Sequence, residues 1–311
     1  MDTPSAMHGA VPLSQLGVIG ARGAEAAKFL QGQLTNDVAS LGPMQARLAG
    51  FCSAKGRLQA SFVVSSAGAG EFWLVCAASV LPATLKRLSM FVLRSQCKLR
   101  DATAEAALWG LAGAPARAQI GDLPVWGQRE AAGTTTIRLP DAGGLARCMV
   151  SAPADALVSD WPAIALEHWC WLDVQSGIPT IEAATVEQFV PQMLNYEIVG
   201  GVDFQKGCYP GQEVVARSHY RGTIKRRMFL FDVAAAASAG QEVFHADDAS
   251  QPAGMVVNAA PRPDGAGWSA LVEVKLAALE AGGLHLGAPG GAMLRLGALP
   301  YTVAPDPALP A

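Results

Sequence analysis

The sequence predicts an α+β protein that ends in a small β-barrel, and three observations support this. The chain has 311 residues, of which 51% are hydrophobic and 16% charged, so it is globular and long enough for two or three domains. Its first two hundred residues mix helical with strand-like patterns. In the last hundred, short apolar runs alternate with Gly, Pro and Asp, which is typical of a small barrel or sandwich.

Hydrophobic spacing assigns the elements of the front portion. Residues 22–34 (RGAEAAKFLQGQL) and 81–91 (LPATLKRLSMF) carry apolar side chains at helical intervals and are predicted to be helices. Residues 58–64 and 71–76 are predicted to be strands joined by a hairpin turn. Residues 102–118 are rich in alanine and fit a strand followed by a helix.

Shorter segments complete this assignment. A further helix is expected at residues 155–164. The remaining strands are predicted at 97–99, 134–139, 146–150, 228–233, 242–244, 254–257, 269–274, 285–286 and 292–296, of which the last six form the C-terminal barrel.

Charge and cysteine content exclude several classes of function. The net charge of −3 does not call for nucleic acid or an anionic membrane as a partner. No secretory signal precedes the first motifs, and no apolar run reaches the roughly 18 residues of a membrane span, so we expect a cytoplasmic protein. The six cysteines form no C-x-x-C pair, which disfavours a metal site; they are Cys52, Cys76, Cys97, Cys148, Cys170 and Cys208.

One cysteine lies in a glycine-rich turn within residues 204–222, FQKGCYPGQEVVARSHYRG. Cys208 is two residues from Lys206, and a nearby cation makes a thiol more reactive. A free cysteine is also a common inert core residue, so both interpretations stay open. His219 would lie near Cys208 if this segment formed a hairpin.

The same region is a basic island. Residues 206–227 contain six basic residues and one acid, Glu213, so they carry +5 and the other 289 residues carry −8. This density favours an anionic ligand such as a carboxylate or phosphate, whereas the alternative is a solvated strand pair with outward-facing charges. The basic residues are Lys206, Arg217, Arg221, Lys225, Arg226 and Arg227.

The turn also carries a family resemblance. The run KGCYPGQE at 206–213, followed by Ala216-Arg217 and the YRG at 220–222, resembles the signature of the YgfZ family, folate-binding proteins related to the T-protein (aminomethyltransferase) of glycine cleavage. Other family motifs match in order: FLQGQLTNDV at 29–38, CSAKGR at 52–57, FVLR at 91–94, GIP at 177–179, PQMLN at 191–195 and GGVDF at 200–204.

The resemblance implies a T-protein-like ring of three domains, with tetrahydrofolate or a one-carbon derivative in its central cavity. We expect a discontinuous first domain (1–45 plus 118–210), a second at 46–117 and a barrel domain at 211–311. The resemblance also implies a role in assembling or repairing iron–sulfur enzymes, including those that thiolate tRNA. The expected partners are then folate and iron–sulfur client enzymes or assembly proteins, without direct binding to nucleic acid or membrane, and the chain is expected to be a monomer.

Two positions depart from the T-protein pattern. Aligning VCAASVLPATL at 75–85 with the T-protein motif N-A-x-x-x-x-K-D-L puts Thr84 where an aspartate serves the folate chemistry. Threonine cannot act as a carboxylate base, so aminomethyl transfer is not expected. In DVQSG at 173–177, Gln175 replaces the glutamate that holds the pterin ring, so pterin binding is expected to be weaker or differently arranged.

The resemblance also supplies candidate site residues. Cys208 is the candidate reactive thiol, and Lys206 tunes it or touches ligand. An accessory folate protein, a one-carbon transferase with an unknown acceptor, and a purely structural module all remain open, and capping or turn chemistry equally explains the polar residues of 31–37. The candidate folate contacts are Gln31, Gln33, Asn36, Asp37, Gln175, Tyr209, Gln212, Glu213, Arg217 and Arg221.

Overall fold

The computed structural model describes residues 7–68, 70–131, 133–153, 161–220 and 224–303. Its strands are β1 (Gly9–Pro12), β2 (Leu16–Arg22), β3 (Ala46–Cys52), β4 (Leu58–Ser66), β5 (Glu71–Ala77), β6 (Lys98–Asp101), β7 (Ala107–Ala112), β8 (Gln128–Ala131), β9 (Thr134–Ala142), β10 (Leu145–Ala152), β11 (Arg226–Val233), β12 (Glu242–His245), β13 (Gly254–Pro261), β14 (Trp268–Lys275), β15 (Leu284–Leu286) and β16 (Leu294–Leu296). Its α-helices are α1 (Ala26–Gln31), α2 (Leu81–Val92), α3 (Ala114–Ile120), α4 (Leu166–Gln175), α5 (Gln212–Tyr220) and α6 (Leu276–Ala281).

The strands form three antiparallel sheets. The first has the order β1-β7-β10-β9-β8 and the second β3-β4-β5-β2-β6. The third, β15-β12-β13-β14-β11-β16, is a nearly closed barrel, so the predicted α+β class and C-terminal barrel are confirmed. Among the described residues, no helix is long and apolar enough to cross a membrane.

Most predicted elements are present, and the differences have local causes. Strands β4 and β5, helix α2, the strand and helix within 102–118 and the six barrel strands lie where the spacing predicted them. The helix predicted at 22–34 is confined to Ala26–Gln31, because Arg22 ends β2 and Leu34 pairs with Phe51 as an isolated bridge. The helix expected at 155–164 falls partly outside the described residues, and α4 begins only at Leu166.

Two strands lie in a different sheet from the one that the predicted domain limits would give them, and the domain limits themselves remain a prediction. Strand β2 (Leu16–Arg22) lies in the second sheet, between β5 and β6, although it precedes the predicted limit at residue 46. Strand β7 (Ala107–Ala112) lies in the first sheet, beside β1. Both strands form antiparallel ladders with these neighbours, which tie them to those sheets.

Helix α4 occupies the centre of the molecule and touches all the surrounding layers. Its Trp169 is 1% exposed and belongs to the core of the first sheet. Its Val174 packs with Leu58 of the second sheet and Leu230 of the barrel. Its Trp171 donates an indole hydrogen bond to the hydroxyl of Ser269 in the barrel at 3.1 Å. Because α4 is anchored on three sides, its side chains have fixed positions at the meeting point of the sheets.

Candidate functional site

Two adjoining chambers form a cavity around α4. The larger encloses about 440 Å³, within the roughly 300–1,000 Å³ of typical small-molecule sites, and the smaller about 90 Å³. Leu16, Asp173, Ile178 and Thr180 line both chambers, so these four residues form the boundary where the two adjoin.

The chambers differ in character. The smaller is walled mainly by apolar and aromatic side chains, among them Phe62, Trp126, Met149 and Trp169. The larger adds polar groups from three elements: Ser79 after β5, Glu182 after α4, and Asn258 on β13. Both chambers thus combine apolar walls with a few polar groups, which suits a flat heterocycle that carries hydrogen-bonding groups.

A buried ion pair lies between the two chambers. Arg147, on β10, is 1% exposed, and its Nη1 donates to Oδ1 of Asp173 at 2.6 Å. Its Nε donates to the carbonyl of Pro140 at 3.2 Å, and its guanidinium carbon lies 5.2 Å from the Trp169 ring centroid. The Asp173 side chain remains 41% accessible because it faces the cavity. A fixed guanidinium therefore presents a carboxylate to the cavity.

Both carboxyl groups in the larger chamber hold their protons more tightly than usual. Burial raises the pKa of Asp173, and the Arg147 charge offsets this only in part. Burial also raises the pKa of Glu182, against the hydrogen bond that Asn258 Nδ2 donates to it at 2.7 Å. Acids with raised pKa beside a cavity are candidates for ligand binding or proton transfer.

Neither of the two positions that depart from the T-protein pattern, Gln175 and Thr84, lines the cavity. Gln175 is not among the residues that line either chamber, whereas Asp173, two positions earlier on α4, lines both. Thr84 is buried in α2 and does not line the chambers either. The second sheet and the turn after β5 line the cavity with no carboxylate; the lining residues are Leu16, Leu48, 61–63 and 75–79.

The predicted Cys208 turn lies apart from the cavity, against the end of α1. Lys206 reaches back and its Nζ donates to the carbonyl oxygens of Gln31 and Leu34. Its Nζ is also 5.1 Å from the Tyr209 ring centroid. Burial lowers the pKa of Lys206 to about 8, although Asp37, Asp203 and Cys208 act in the opposite direction. Lys206 thus ties the turn to the N-terminal motif.

Two glycine turns pack directly on each other beneath Cys208. Gly211 has φ +81°, and a Cβ there would lie 2.4 Å from the carbonyl oxygen of Ser53 and 2.7 Å from the backbone of Gly56. Gly56 has φ +71°, and its own Cβ would lie 2.8 Å from Val214. The motifs CSAKGR and KGCYPGQE therefore form one backbone contact that tolerates only glycine at these positions.

The polar residues of the N-terminal motif make turn and capping contacts. Asn36 Nδ2 donates to the carbonyls of Leu48 at 2.6 Å and Gly200 at 2.7 Å, and Gln31 Oε1 accepts from the backbone N–H of Val38 at 2.7 Å. Asp37 lies 3.4 Å from Arg47. Partial burial acts to raise the pKa of Asp37, but hydrogen bonds from Ser40 and the Arg47 charge lower it overall. Gln33 Oε1 is buried and has no hydrogen-bond partner among the described residues.

The segment after the turn is a helix, so the hairpin expectation is wrong. Helix α5 follows Gly211, with Glu213 in its first turn and Arg217 in its last, as the helix dipole favours. These two side chains are exposed and pair at 3.2 Å. His219 stacks on Phe204, with ring centroids 3.9 Å apart.

The other candidates in this region are buried, paired or outside the described residues. Tyr209 is buried, Gln212 begins α5, and Arg221 lies outside the described residues. Arg226 pairs with the buried Glu273, and Arg227 with Glu197 at 2.5 Å. Much of the basic island is thus neutralised by structural pairs.

Cys208 is the accessible thiol of the chain. It is exposed, whereas the other cysteines are buried or half-buried. Burial raises the pKa of Cys52, Cys76, Cys148 and Cys170 to about 12 and also raises that of Cys97. None of the predicted site residues that the structure describes, which excludes Arg221, lines the central cavity. Arg147 and Asp173, which form its polar centre, were missed by the sequence analysis, although Asp173 lies inside the DVQSG segment that it singled out.

Comparison with known proteins gives consistent matches. Residues 6–133 match the family model of the GCVT N-terminal domain. The tRNA-modifying protein YgfZ of Serratia proteamaculans is 32% identical over 281 residues, covering 84% of this chain and 83% of the relative. The YgfZ protein of Sodalis glossinidius is 30% identical over 312 residues, covering 94% of this chain and 93% of the relative. The YgfZ protein of Cronobacter sakazakii is 34% identical over 222 residues, covering 67% of this chain and 66% of the relative.

The fold has a solved counterpart. The structure of the glycine cleavage system aminomethyltransferase T from Bartonella henselae superposes with a TM-score of 0.74, over 96% of this chain and 88% of the other. At 17% identity, this likeness shows the T-protein-like fold alone.

Proposed function

This chain belongs to the YgfZ family, and on that basis we propose that it binds tetrahydrofolate or a one-carbon derivative in the central cavity. We further propose that it supports the assembly or repair of iron–sulfur enzymes in the cytoplasm, including enzymes that thiolate tRNA. In this proposal its partners are folate and those client or assembly proteins, and tRNA is affected only indirectly.

The observation that carries the folate proposal is the Arg147–Asp173 pair at the junction of the two chambers. A pterin ring presents adjacent N–H donors, and a carboxylate accepts such a pair with good geometry. Asp173 has one oxygen held by Arg147, which fixes the carboxylate plane, and the side chain faces the cavity. The aromatic walls of the smaller chamber fit the flat ring.

We propose that aminomethyl transfer is absent. Bound tetrahydrofolate would supply nitrogen atoms that carry one-carbon units, but the T-protein pattern also uses an aspartate at the position that aligns with Thr84. In this chain Thr84 is buried and does not line the cavity. The residues of the second sheet and the turn after β5 that do line it contain no acid; they are Leu16, Leu48, 61–63 and 75–79. Cys208 then remains the chain's candidate reactive thiol, supported by its exposure.

A specific observation favours one alternative, a one-carbon transferase with an unknown acceptor. Asp173 and Glu182 both face the larger chamber, and burial raises the pKa of each. A raised pKa brings a carboxyl group closer to the pH at which it can exchange a proton with a substrate, as general acid–base catalysis requires. Turnover of methylene- or formyl-tetrahydrofolate by the purified protein, abolished in Glu182→Gln, would support this alternative over the accessory role.

The experiment that tests the folate site compares two positions on α4. We expect 5-formyl-tetrahydrofolate to bind the wild-type protein saturably in calorimetry. Asp173→Asn should weaken binding by roughly 10- to 100-fold, because a hydrogen bond to a charged group contributes about 1.5–3 kcal/mol. Gln175→Ala should change affinity less than about twofold, since Gln175 does not line the cavity.

Two results would contradict the proposal. Absence of saturable heat at millimolar ligand rejects folate binding itself. The reverse pattern, with Gln175→Ala weakening binding and Asp173→Asn leaving it unchanged, rejects the assignment of the carboxylate while keeping the ligand. Asp173→Glu, which retains the charge, controls for loss of fold.

A further inference from the structure

The end of helix α2 presents an apolar cluster at the protein surface. Met90 is 66% exposed, Phe91 40% and Leu93 87%. These are three of the ten large hydrophobic residues that are exposed among the described residues, and they fall within four consecutive positions. Scattered exposed hydrophobics are ordinary, but a contiguous group marks an interaction surface.

Positive charge surrounds this cluster. Residues 86–98, KRLSMFVLRSQCK, contain four basic residues and no acid, in a chain whose net charge is −3. Lys86, Arg87 and Arg94 are exposed and form no ion pair within the described part of the chain. Their charge is therefore available to an outside partner.

Leu93 is exposed on a strained backbone conformation. Leu93 follows the last helical residue with φ +45° and ψ −104°, a conformation that a bulky residue seldom adopts. The loop after it is held in place: Gln96 N–H donates to the Glu25 carboxylate at 2.8 Å, and Glu25 N–H donates to the Gln96 carbonyl at 3.1 Å. Strain of this kind persists where the surrounding structure enforces it, commonly at functional sites.

A shallow groove adjoins the cluster, lined by Glu25 and residues 91–95. We propose that this surface, defined as Lys86, Arg87, Met90, Phe91, Leu93 and Arg94, docks a protein partner through an acidic segment carrying apolar anchor side chains. Leu93 and Phe91 contact the anchors, and the cations pair with the acidic rim. Charge complementarity of this kind steers association and fixes orientation.

Other occupants fit this surface less well. An interfacial membrane helix buries one whole face about 5–10 Å into the lipid, but the apolar face of α2 is already packed in the second sheet through Leu81 and Leu88. Binding of single-stranded RNA relies on stacking aromatics, and Phe91 is the single aromatic residue of this surface. Docking of a protein does not depend on folate binding, so this inference stands apart from the proposed function.

The test uses the full chain and a fluorescein-labelled amphipathic peptide of about 18 residues built from Leu, Glu and Ala. A matched peptide has Lys in place of Glu. Anisotropy titrations are run at low and high salt, with phosphatidylglycerol vesicles and bulk tRNA as separate probes. We expect the acidic peptide alone to bind, with affinity that falls as salt rises.

Three variants locate the binding. Arg87→Glu/Arg94→Glu and Leu93→Gly should each weaken binding of the acidic peptide by at least about tenfold. Met44→Ser, at another residue that is 72% exposed, should leave it unchanged. Leu93→Gly should also melt at a higher temperature than wild type, because glycine adopts positive φ without strain. Weaker binding by a more stable protein separates docking from folding.

The proposal fails if the acidic peptide does not bind at millimolar concentration, if the Lys peptide binds as well, or if the surface variants bind like wild type. A fourth outcome also contradicts it: vesicles or tRNA bind the wild-type protein, the surface variants abolish that binding, and the acidic peptide does not bind.

Discussion

The contact between the two glycine turns can be tested by changing Gly211 to Ala. At φ +81° a Cβ costs roughly 1–3 kcal/mol in backbone strain alone. It would also lie 2.4 Å from the Ser53 carbonyl oxygen and 2.7 Å from Gly56, both backbone groups that cannot rotate away. We therefore expect a loss of roughly 2–4 kcal/mol in the free energy of unfolding.

Gly207→Ala is the matched control, on the other side of Cys208. Gly207 is exposed, lacks a positive φ, and a Cβ there would meet nothing within 4 Å. Because alanine reduces the conformational entropy of the unfolded chain, this variant should be neutral or more stable by up to about 1 kcal/mol. The two substitutions are chemically identical, so the difference between them measures the packing of the turn.

The assay is urea unfolding followed by tryptophan fluorescence, with the rate of Cys208 alkylation recorded in parallel. Gly211→Ala should lower the urea midpoint and change the alkylation rate, whereas Gly207→Ala should change neither by much. Equal midpoints for the two variants would refute the packing of CSAKGR against KGCYPGQE.

Three further predictions concern the thiol, the buried lysine and the ion pair. Cys208 should react with iodoacetamide at pH 7 faster than the other five cysteines, since it is exposed and burial raises the pKa of the others; mass spectrometry that finds it the slowest would contradict this. The pKa of Lys206 is lowered to about 8, so between pH 8 and its unfolded value near 10.4 the unfolded state binds more protons and stability relative to Lys206→Met should rise with pH. A difference in unfolding free energy that stays flat or falls across that window would show that the Lys206 pKa is not lowered. Asp173→Asn should cost roughly 3 kcal/mol because it leaves the Arg147 charge buried and unpaired, and Asp173→Leu/Arg147→Met should cost less; melting temperatures in the opposite order would contradict this.

Hydrophobic spacing located much of the fold but not the strands that lack it. Residues 58–64 and 71–76 are short segments rich in strand-forming apolar residues, and the turn-like SSAGAG separates them, so β4 and β5 were predictable. Strands β2 (LGVIGAR) and β3 (ARLAGFC) are buried on both faces and rich in Ala and Gly, which gives neither alternation nor strong strand propensity. Their assignment depends on tertiary pairing with β5 and β4.

The site was harder to predict because its residues meet only in three dimensions. The KGCYPGQE turn is visible as a contiguous motif, yet its neighbours in space are the carbonyls of α1 and a second glycine turn. Arg147 and Asp173 are 26 residues apart and belong to different elements. An arginine in the apolar strand LARCMVSA was the one local signal, since a buried arginine requires a partner.

The central claim is that folate occupies the cavity around α4 and not the Cys208 turn. Hydrogen–deuterium exchange with and without 5-formyl-tetrahydrofolate tests this directly. We predict slower exchange at residues 75–79 and 166–182, which line the cavity, and unchanged exchange at 204–220. Protection confined to 204–220, or no protection anywhere at saturating ligand, would contradict the claim.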